Sequence, residues 1–133
     1  MWLLMMWGCA VVGSGTDTGP TATCEPATVS VAEDALEGLD TCDQLGEAYY
    51  AEELALRACT THADCGQLSE RGSCGCTNAA VLACTADPGR LYALADALEL
   101  DCDGWLPSTS CECRDERGFL CSEGVCVWNV VDR

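Results

Sequence analysis

The sequence contains no lysine, a single histidine and a single phenylalanine among its 133 residues. Its six basic residues, all arginine, stand against 22 acidic ones, and the formal net charge at pH 7 is −16. This charge repels the phosphates of nucleic acids and the anionic headgroups of lipid bilayers. Because the acids are spread from Asp17 to Asp132, we interpret them as a solvated surface that keeps a monomer soluble, and we exclude nucleic acid as a partner.

Motifs that mark common enzyme classes are also missing. The chain has no G-x-S-x-G nucleophile elbow, no H-E-x-x-H zinc helix and no glycine-rich phosphate loop. His62 is the one histidine available as a general base, and nothing in the sequence marks one serine as its nucleophile. The sequence therefore predicts a protein that is not an enzyme and that uses no cofactor.

Cysteine, in contrast, is abundant, with 13 residues in the chain. A cysteine content near one tenth is typical of disulfide scaffolds in short exported proteins. Structural zinc sites favour C-x-x-C turns, which this chain lacks, so we predict disulfides and no metal site. The sequence leaves the pairing open among Cys24, Cys42, Cys59, Cys65, Cys74, Cys76, Cys84, Cys102, Cys111, Cys113, Cys121 and Cys126.

The remaining cysteine, Cys9, follows a short apolar run over residues 2–7. The run is too short to span a bilayer but suits an export signal. The M-W-G-C segment ending at Cys9 is similar to a bacterial lipobox, whose cysteine is lipidated and becomes the mature N-terminus; Met6 and Trp7 depart from that pattern. Ordinary signal cleavage near Gly13 is the alternative, and either event leaves an even number of cysteines for pairing.

These features predict three parts of the chain. Residues 1–8 are a signal peptide, and residues 9–28 are the lipidated cysteine with a flexible tether rich in Gly, Ser and Thr. Residues 29–133 are the disulfide-rich domain. The predicted location is the cell envelope, where the lipid anchor holds the protein to a membrane on the periplasmic or the outer side; secretion is the alternative.

Local signals predict an α+β domain with about three helices packed on a short antiparallel sheet or hairpin. Capping signals and apolar spacing place helices over residues 30–39, from Thr41 to near Cys59, and over residues 88–100. Residues 118–131 are typical of a hairpin that turns at residues 122–124, with Cys111-Glu112-Cys113 on a neighbouring strand.

The two C-x-C segments would each place both cysteines on one face of a strand, so we expect them to be bridged to a helix through Cys42 and Cys59. Four cysteines also recur after a shift of 37 positions, which suggests an internal repeat of residues 65–84 and 102–121. The pairs related by this shift are Cys65 and Cys102, Cys74 and Cys111, Cys76 and Cys113, and Cys84 and Cys121.

From Cys59 onward the chain reads C-x4-D-C, C-G-C, a helix, C-E-C and C-x-x-G-x-C. This pattern resembles small cysteine-rich lipoproteins and secreted proteins of bacteria, which implies an envelope or external location and transfers no functional residue. We predict a binding or structural module with an unidentified protein partner, contacted through Trp105 and Trp128. One alternative is a protease inhibitor with an exposed loop at residues 105–110, and the other is a thiol-based metal-binding or redox protein.

Overall fold

The structure is a computed structural model that describes residues 24–25, 28–69, 76–103, 105 and 113–132. In this part of the chain the fold is α+β, with two helices and two separate two-stranded antiparallel sheets. The elements in chain order are α1 (Cys42–Leu56), β1 (Cys65–Leu68), β2 (Val81–Ala83), α2 (Gly89–Asp101), β3 (Glu116–Ser122) and β4 (Val125–Val130). Among these elements, no helix is long and apolar enough to cross a membrane.

Helix α1 begins where its capping signal predicts. The Thr41 hydroxyl accepts a hydrogen bond from the Gln44 backbone at 3.2 Å, and the Gln44 side chain accepts one from the Thr41 backbone at 3.1 Å. This reciprocal pair satisfies two donors that the first turn would otherwise leave unpaired. Leu45 and Tyr49 are buried on the inner face. The helix ends at Leu56, so Cys59 lies beyond it.

The prediction of a helix over residues 30–39 is wrong, because residues 33–38 form consecutive turns. The hydroxyl of Ser30, expected to cap that helix, instead donates to the carboxylate of Asp87, 57 positions along the chain. Gly38 has a left-handed φ of 80°, which also interrupts a right-handed helix. Leu36 and Leu39 still pack against the core formed by the two helices.

Helix α2 confirms the last of the three predicted helices, with Leu91, Leu94, Ala95 and Leu98 buried on one face. The carboxylate of Asp87 accepts a hydrogen bond from the Gly89 backbone at 2.9 Å at the start of the helix. The buried faces of α1 and α2 pack together and form the larger core. Its buried members are Leu45, Tyr49, Leu91, Leu94, Ala95 and Leu98.

The predicted hairpin is confirmed as β3 and β4, joined by Glu123 and Gly124 with φ values of 51° and 78°. Two successive left-handed residues suit a two-residue hairpin turn. The segment after α1 extends this sheet: Ala58 forms a bridge with Val125, and the Cys126 backbone donates to the Arg57 carbonyl at 2.7 Å. A smaller core of Cys65, Val81 and Cys126 lies between this hairpin and the sheet of β1 and β2.

Five disulfides in the described part of the chain confirm the predicted disulfide-rich character. Four of them join residues 60 to 62 positions apart. In these four bridges, a cysteine that comes later in the first half of the chain is bonded to a cysteine that comes later in the second half. In the chain-entropy treatment, closing one loop of this length stabilises the fold by about 4 kcal/mol, and overlapping loops contribute less than their sum. The bridges are Cys24–Cys84, Cys42–Cys102, Cys59–Cys121, Cys65–Cys126 and Cys76–Cys113.

The expected role of the C-x-C cysteines is wrong for the two that the structure describes. Cys76 and Cys113 pair with each other rather than with a cysteine of the α1 region. Cys76 has a φ of 52° and begins a turn of 3-10 helix, and Cys113 precedes β3, so neither lies in a strand. Cys9, Cys74 and Cys111 lie outside the described residues.

The cysteines related by the 37-position shift lie in unlike surroundings where the structure describes both members. Cys65 begins β1 and pairs with Cys126, whereas its counterpart Cys102 follows α2 and pairs with Cys42. Four of the five described bridges therefore join the first half of the chain to the second half, Cys76–Cys113 lies within the second half, and no pairing pattern is repeated among these five bridges.

We predict opposite effects for Gly89→Ala and Gly46→Ala in denaturant unfolding with the disulfides intact. A Cβ atom on Gly89 would lie 1.8 Å from the Ser30 carbonyl oxygen, so this substitution displaces the segment seated on α2 and costs about 1–3 kcal/mol. A Cβ atom on Gly46, inside α1, meets nothing within 4 Å, so Gly46→Ala adds about 0.5–1 kcal/mol through helix propensity. Equal stabilisation by both substitutions would contradict the close contact at Ser30.

Candidate functional site

A cleft of about 210 Å³ lies between α1, the chain leading into β2, and β4. Pockets that enclose drug-sized ligands have volumes of roughly 300–1,000 Å³, so this cleft suits a single side chain of a partner better than a whole small molecule. It is lined by Tyr49, Glu53, Arg57, Thr77, Asn78, Ala79, Ala80, Val81, Val127 and Trp128.

The α1 wall of the cleft is a line of three polar groups spaced four residues apart. The hydroxyl of Tyr49 is hydrogen-bonded to the carboxylate of Glu53, and Glu53 pairs with the Arg57 guanidinium at 3.6 Å. Burial of the ring, followed by the charge of Glu53, raises the pKa of the Tyr49 phenol above its usual range. The phenol is the donor in this hydrogen bond, and the Glu53 carboxylate is the acceptor.

Arg57 also fixes the cleft to the hairpin. Its Nε and Nη2 atoms donate to the Cys126 carbonyl at 3.1 and 3.0 Å. A guanidinium that makes two such hydrogen bonds from a planar group is held in one orientation. The line of side chains from Tyr49 to Arg57 thus connects the helical core to β4.

Trp128 forms the β4 wall of the cleft. Its indole nitrogen donates to the Ala79 carbonyl at 2.8 Å, and its ring packs against Phe119 with the centroids 4.9 Å apart. Trp105, in contrast, packs edge-on against Tyr49 at 4.9 Å and belongs to the helical core. Of the two tryptophans predicted as contacts, Trp128 lines the cleft and Trp105 does not.

The outer face of α1 carries an exposed apolar stripe, which we define as Tyr50, Ala51, Leu54 and Ala55. Tyr50 and Leu54 are 62% and 58% exposed. A helix on the surface of a globular domain normally presents polar residues to solvent, so this stripe departs from the usual pattern. Glu47, exposed one turn before Tyr50, places a carboxylate beside it.

Sequence reasoning missed the exposed stripe because it assigned α1 a single apolar face. The signal was present: the tyrosine doublet at residues 49 and 50 gives each side of the helix one ring. Tyr49 is buried and Tyr50 is exposed. An apolar residue repeated at positions on both sides of a helix can indicate a second contact surface as well as a core.

His62 and Asp64 lie together in sequence but do not form an acid–base pair. The Nδ1 atom of His62 accepts a hydrogen bond from the Cys121 backbone at 2.8 Å. The carboxylate of Asp64 accepts from the backbone of Thr61 and from the backbone and hydroxyl of Thr60, each at 2.8 Å. These bonds, the Thr61 backbone bond first, lower the pKa of Asp64 to about 2. Both residues therefore hold local structure.

The sulfur atoms of Cys59, Cys65 and Cys126 all lie within 4.8 Å of one another. Each is already bonded in a disulfide, so none of them is the thiolate that zinc requires. The disulfides themselves indicate an oxidising environment of the extracellular type.

Three comparisons, with protein-family models, with curated proteins and with solved structures, find no significant match.

The lipobox-like cysteine Cys9 and residues 106–110 of the predicted inhibitory loop lie outside the described residues.

We predict that Asp64→Asn lowers the melting temperature at pH 7, and that the difference from the wild type disappears as the pH falls to about 2. The charged carboxylate is stabilised in the folded state, so its contribution is complete above the ordinary pKa of 3.8 and is lost as the pH falls through about 2. Thermal unfolding between pH 7 and pH 2 measures the effect. Asp103→Asn, in an exposed turn, removes the same charge as a control; equal effects of the two substitutions would contradict the prediction.

Proposed function

We propose that this protein is an exported, lipid-anchored module that binds a protein partner and catalyses no reaction. The disulfides support export, because such bridges persist in oxidising compartments. The sequence around Cys9 supports a lipid anchor, and the composition of residues 9–28 suits a tether that holds the domain away from the membrane. The partner meets the outer stripe of α1 and the adjoining cleft.

The observation that carries the binding role is the pair of exposed large side chains, Tyr50 and Leu54, next to a cleft walled by Arg57 and Trp128. Tyr, Trp and Arg are the residues that contribute most to protein interfaces. One turn of α1 thus offers apolar area for contact, and the cleft beside it receives one anchoring side chain.

The bridges make this surface rigid before the partner arrives. Cys42 ties the start of α1 to Cys102, and Cys59, three residues after the helix ends, is tied to Cys121 on β3. A surface that is already ordered loses less conformational entropy on binding, which increases affinity without any added contact.

Charge defines the chemistry of the partner. The protein carries a net charge of −16, and Glu47 is an exposed carboxylate beside the outer stripe, whereas Glu53 in the wall of the cleft is paired with Arg57. Complementarity therefore favours a basic segment with one apolar face, such as an amphipathic helix rich in lysine or arginine. Its association is expected to be fastest at low salt.

We predict that a synthetic amphipathic helix of leucine and lysine perturbs the amide NMR signals of Tyr50, Leu54, Arg57 and Trp128. A matched leucine and glutamate peptide leaves them unchanged, because the acidic surface repels it. Tyr50→Ser combined with Leu54→Ser is expected to weaken binding of the basic peptide at least tenfold, since it removes both exposed anchors of the stripe.

Leu100→Ser is the matched control, because Leu100 is 83% exposed at the far end of α2 and lies outside the stripe and the cleft. It should leave binding of the basic peptide unchanged. Signal changes spread evenly over the acidic surface, or equal losses in the control and the double variant, would show that charge alone attracts the peptide.

For the anchor, we predict that protein taken from its native membrane fraction and alkylated without reduction has a mass that starts at Cys9, carries acyl chains and includes no alkyl group. Lipidation removes Cys9 from the thiol pool, and the other twelve cysteines form an even set. A lipid-free mass that begins after Cys9 would favour secretion, and a mass that carries many alkyl groups would contradict export.

A further inference from the structure

Two of the disulfides lie side by side in the smaller core. The sulfur of Cys59, bonded to Cys121, is within 4.8 Å of both sulfurs of the bridge between Cys65 and Cys126. A thiolate formed at Cys59 would therefore need only a small side-chain movement to reach either sulfur of the neighbouring bridge. Thiol–disulfide exchange proceeds by such an attack.

The same four cysteines can pair in a second way. Cys121 and Cys126 are directly opposite each other in the register of β3 and β4. Their backbone N–H groups bond elsewhere, to Nδ1 of His62 at 2.8 Å and to the Arg57 carbonyl at 2.7 Å, so neither donates to the other's strand. Such a non-hydrogen-bonded pair places both side chains on one face, with Cα atoms about 4.5 Å apart, within the range that a disulfide spans.

The two bridges differ in their access to solvent. Cys65 and Cys126 are only 2% and 0% exposed, whereas Cys59 and Cys121 are both partly exposed. An external thiol can reach the outer bridge, Cys59–Cys121, before it can reach the inner bridge, Cys65–Cys126. The arrangement provides an accessible entry point and a buried acceptor behind it.

We propose that Cys59, Cys65, Cys121 and Cys126 form a thiol–disulfide exchange site whose co-reactant is a small thiol. The thiolate of that thiol attacks the Cys121 sulfur, forms a mixed disulfide and releases the Cys59 thiolate. The Cys59 thiolate attacks the Cys65 sulfur, forms Cys59–Cys65 and releases the Cys126 thiolate. The Cys126 thiolate attacks Cys121 in the mixed disulfide, forms Cys121–Cys126 and regenerates the small thiol. Two bridges are broken and two are formed, so there is no net oxidation or reduction.

The exchange changes which parts of the fold are fastened together. In the observed pairing, the two bridges tie the segment after α1 and the first residue of β1 to the hairpin. In the second pairing, one bridge lies within residues 59–65 and the other within the hairpin, so the hairpin loses both covalent ties to the rest of the fold. The bridges Cys24–Cys84, Cys42–Cys102 and Cys76–Cys113 keep their partners. The exchange itself needs a small thiol and no protein partner.

The first test uses the wild-type protein with reduced glutathione at one tenth of the protein concentration at pH 8. After trapping with N-ethylmaleimide, digestion by Asp-N and Glu-C cuts before Asp64 and after Glu123, which separates the cysteines of each local pair. Mass spectrometry should then show Cys59–Cys65 and Cys121–Cys126 peptides rising together without a matching rise in labelled thiols. Retention of the original pairing, or equal scrambling with Cys42 and Cys102, would overturn the proposal.

The second test uses excess glutathione and follows labelling of Cys65 and Cys126. Cys59→Ser combined with Cys121→Ser removes the outer bridge, and labelling of the inner pair should become at least tenfold slower than in the wild type. Cys42→Ser combined with Cys102→Ser is the control that removes a bridge of similar span, and it should leave the rate near the wild-type value. Equally fast labelling in the first variant would overturn the route through Cys59.

Discussion

The fold depends on covalent bonds between the two halves of the chain. Four disulfides that join residues 60 to 62 positions apart, in matching order, fix the first half against the second. Among the described residues, the cores that these disulfides supplement are small: one is formed by two helices, and the other has three buried members, two of them half-cystines. In a domain of this size, apolar burial alone gives a narrow margin of stability, and long-range cross-links widen it by restricting the unfolded chain.

The covalent framework also explains how the chain tolerates its composition. With a net charge of −16, the acidic side chains repel one another in the compact folded state. Exposed apolar side chains such as Tyr50 and Leu54 favour association between copies of the protein. Cross-links oppose the first effect, because they limit how far the unfolded chain can expand. The acidic surface opposes the second, because like charge keeps copies of the protein apart.

Local signals predicted the elements whose causes are local. Thr41 with Gln44 set the start of α1, and the spacing of Leu91, Leu94 and Leu98 marked the buried face of α2. The helix at residues 30–39 failed for a non-local reason, since its expected cap, Ser30, bonds to Asp87 instead. Disulfide pairing is equally non-local: nothing in the sequence near Cys76 distinguishes Cys113 from the other cysteines as its partner.

The candidate site was visible in part from the sequence. Trp128 was predicted as a contact and lines the cleft, but the cleft itself needs α1 and β4 to meet, and the sequence does not show that they do. The outer stripe was missed because only one apolar face of α1 was considered. A helix fixed covalently at both ends can keep apolar groups on its outer face, since its position no longer depends on which face is the more apolar.

Arg57 links the binding surface to the cysteine cluster. Its side chain pairs with Glu53 in the cleft and bonds to the carbonyl of Cys126, whose sulfur belongs to the inner bridge. Trp128, two residues further along β4, forms the opposite wall of the same cleft. The hairpin that carries Trp128 is fastened to α1 through these contacts and the neighbouring bridges. A change in the disulfide pairing would therefore alter the distance between the α1 wall and the β4 wall of the cleft. The pairing of four cysteines and the shape of the binding surface are thus two consequences of one connection between α1 and β4.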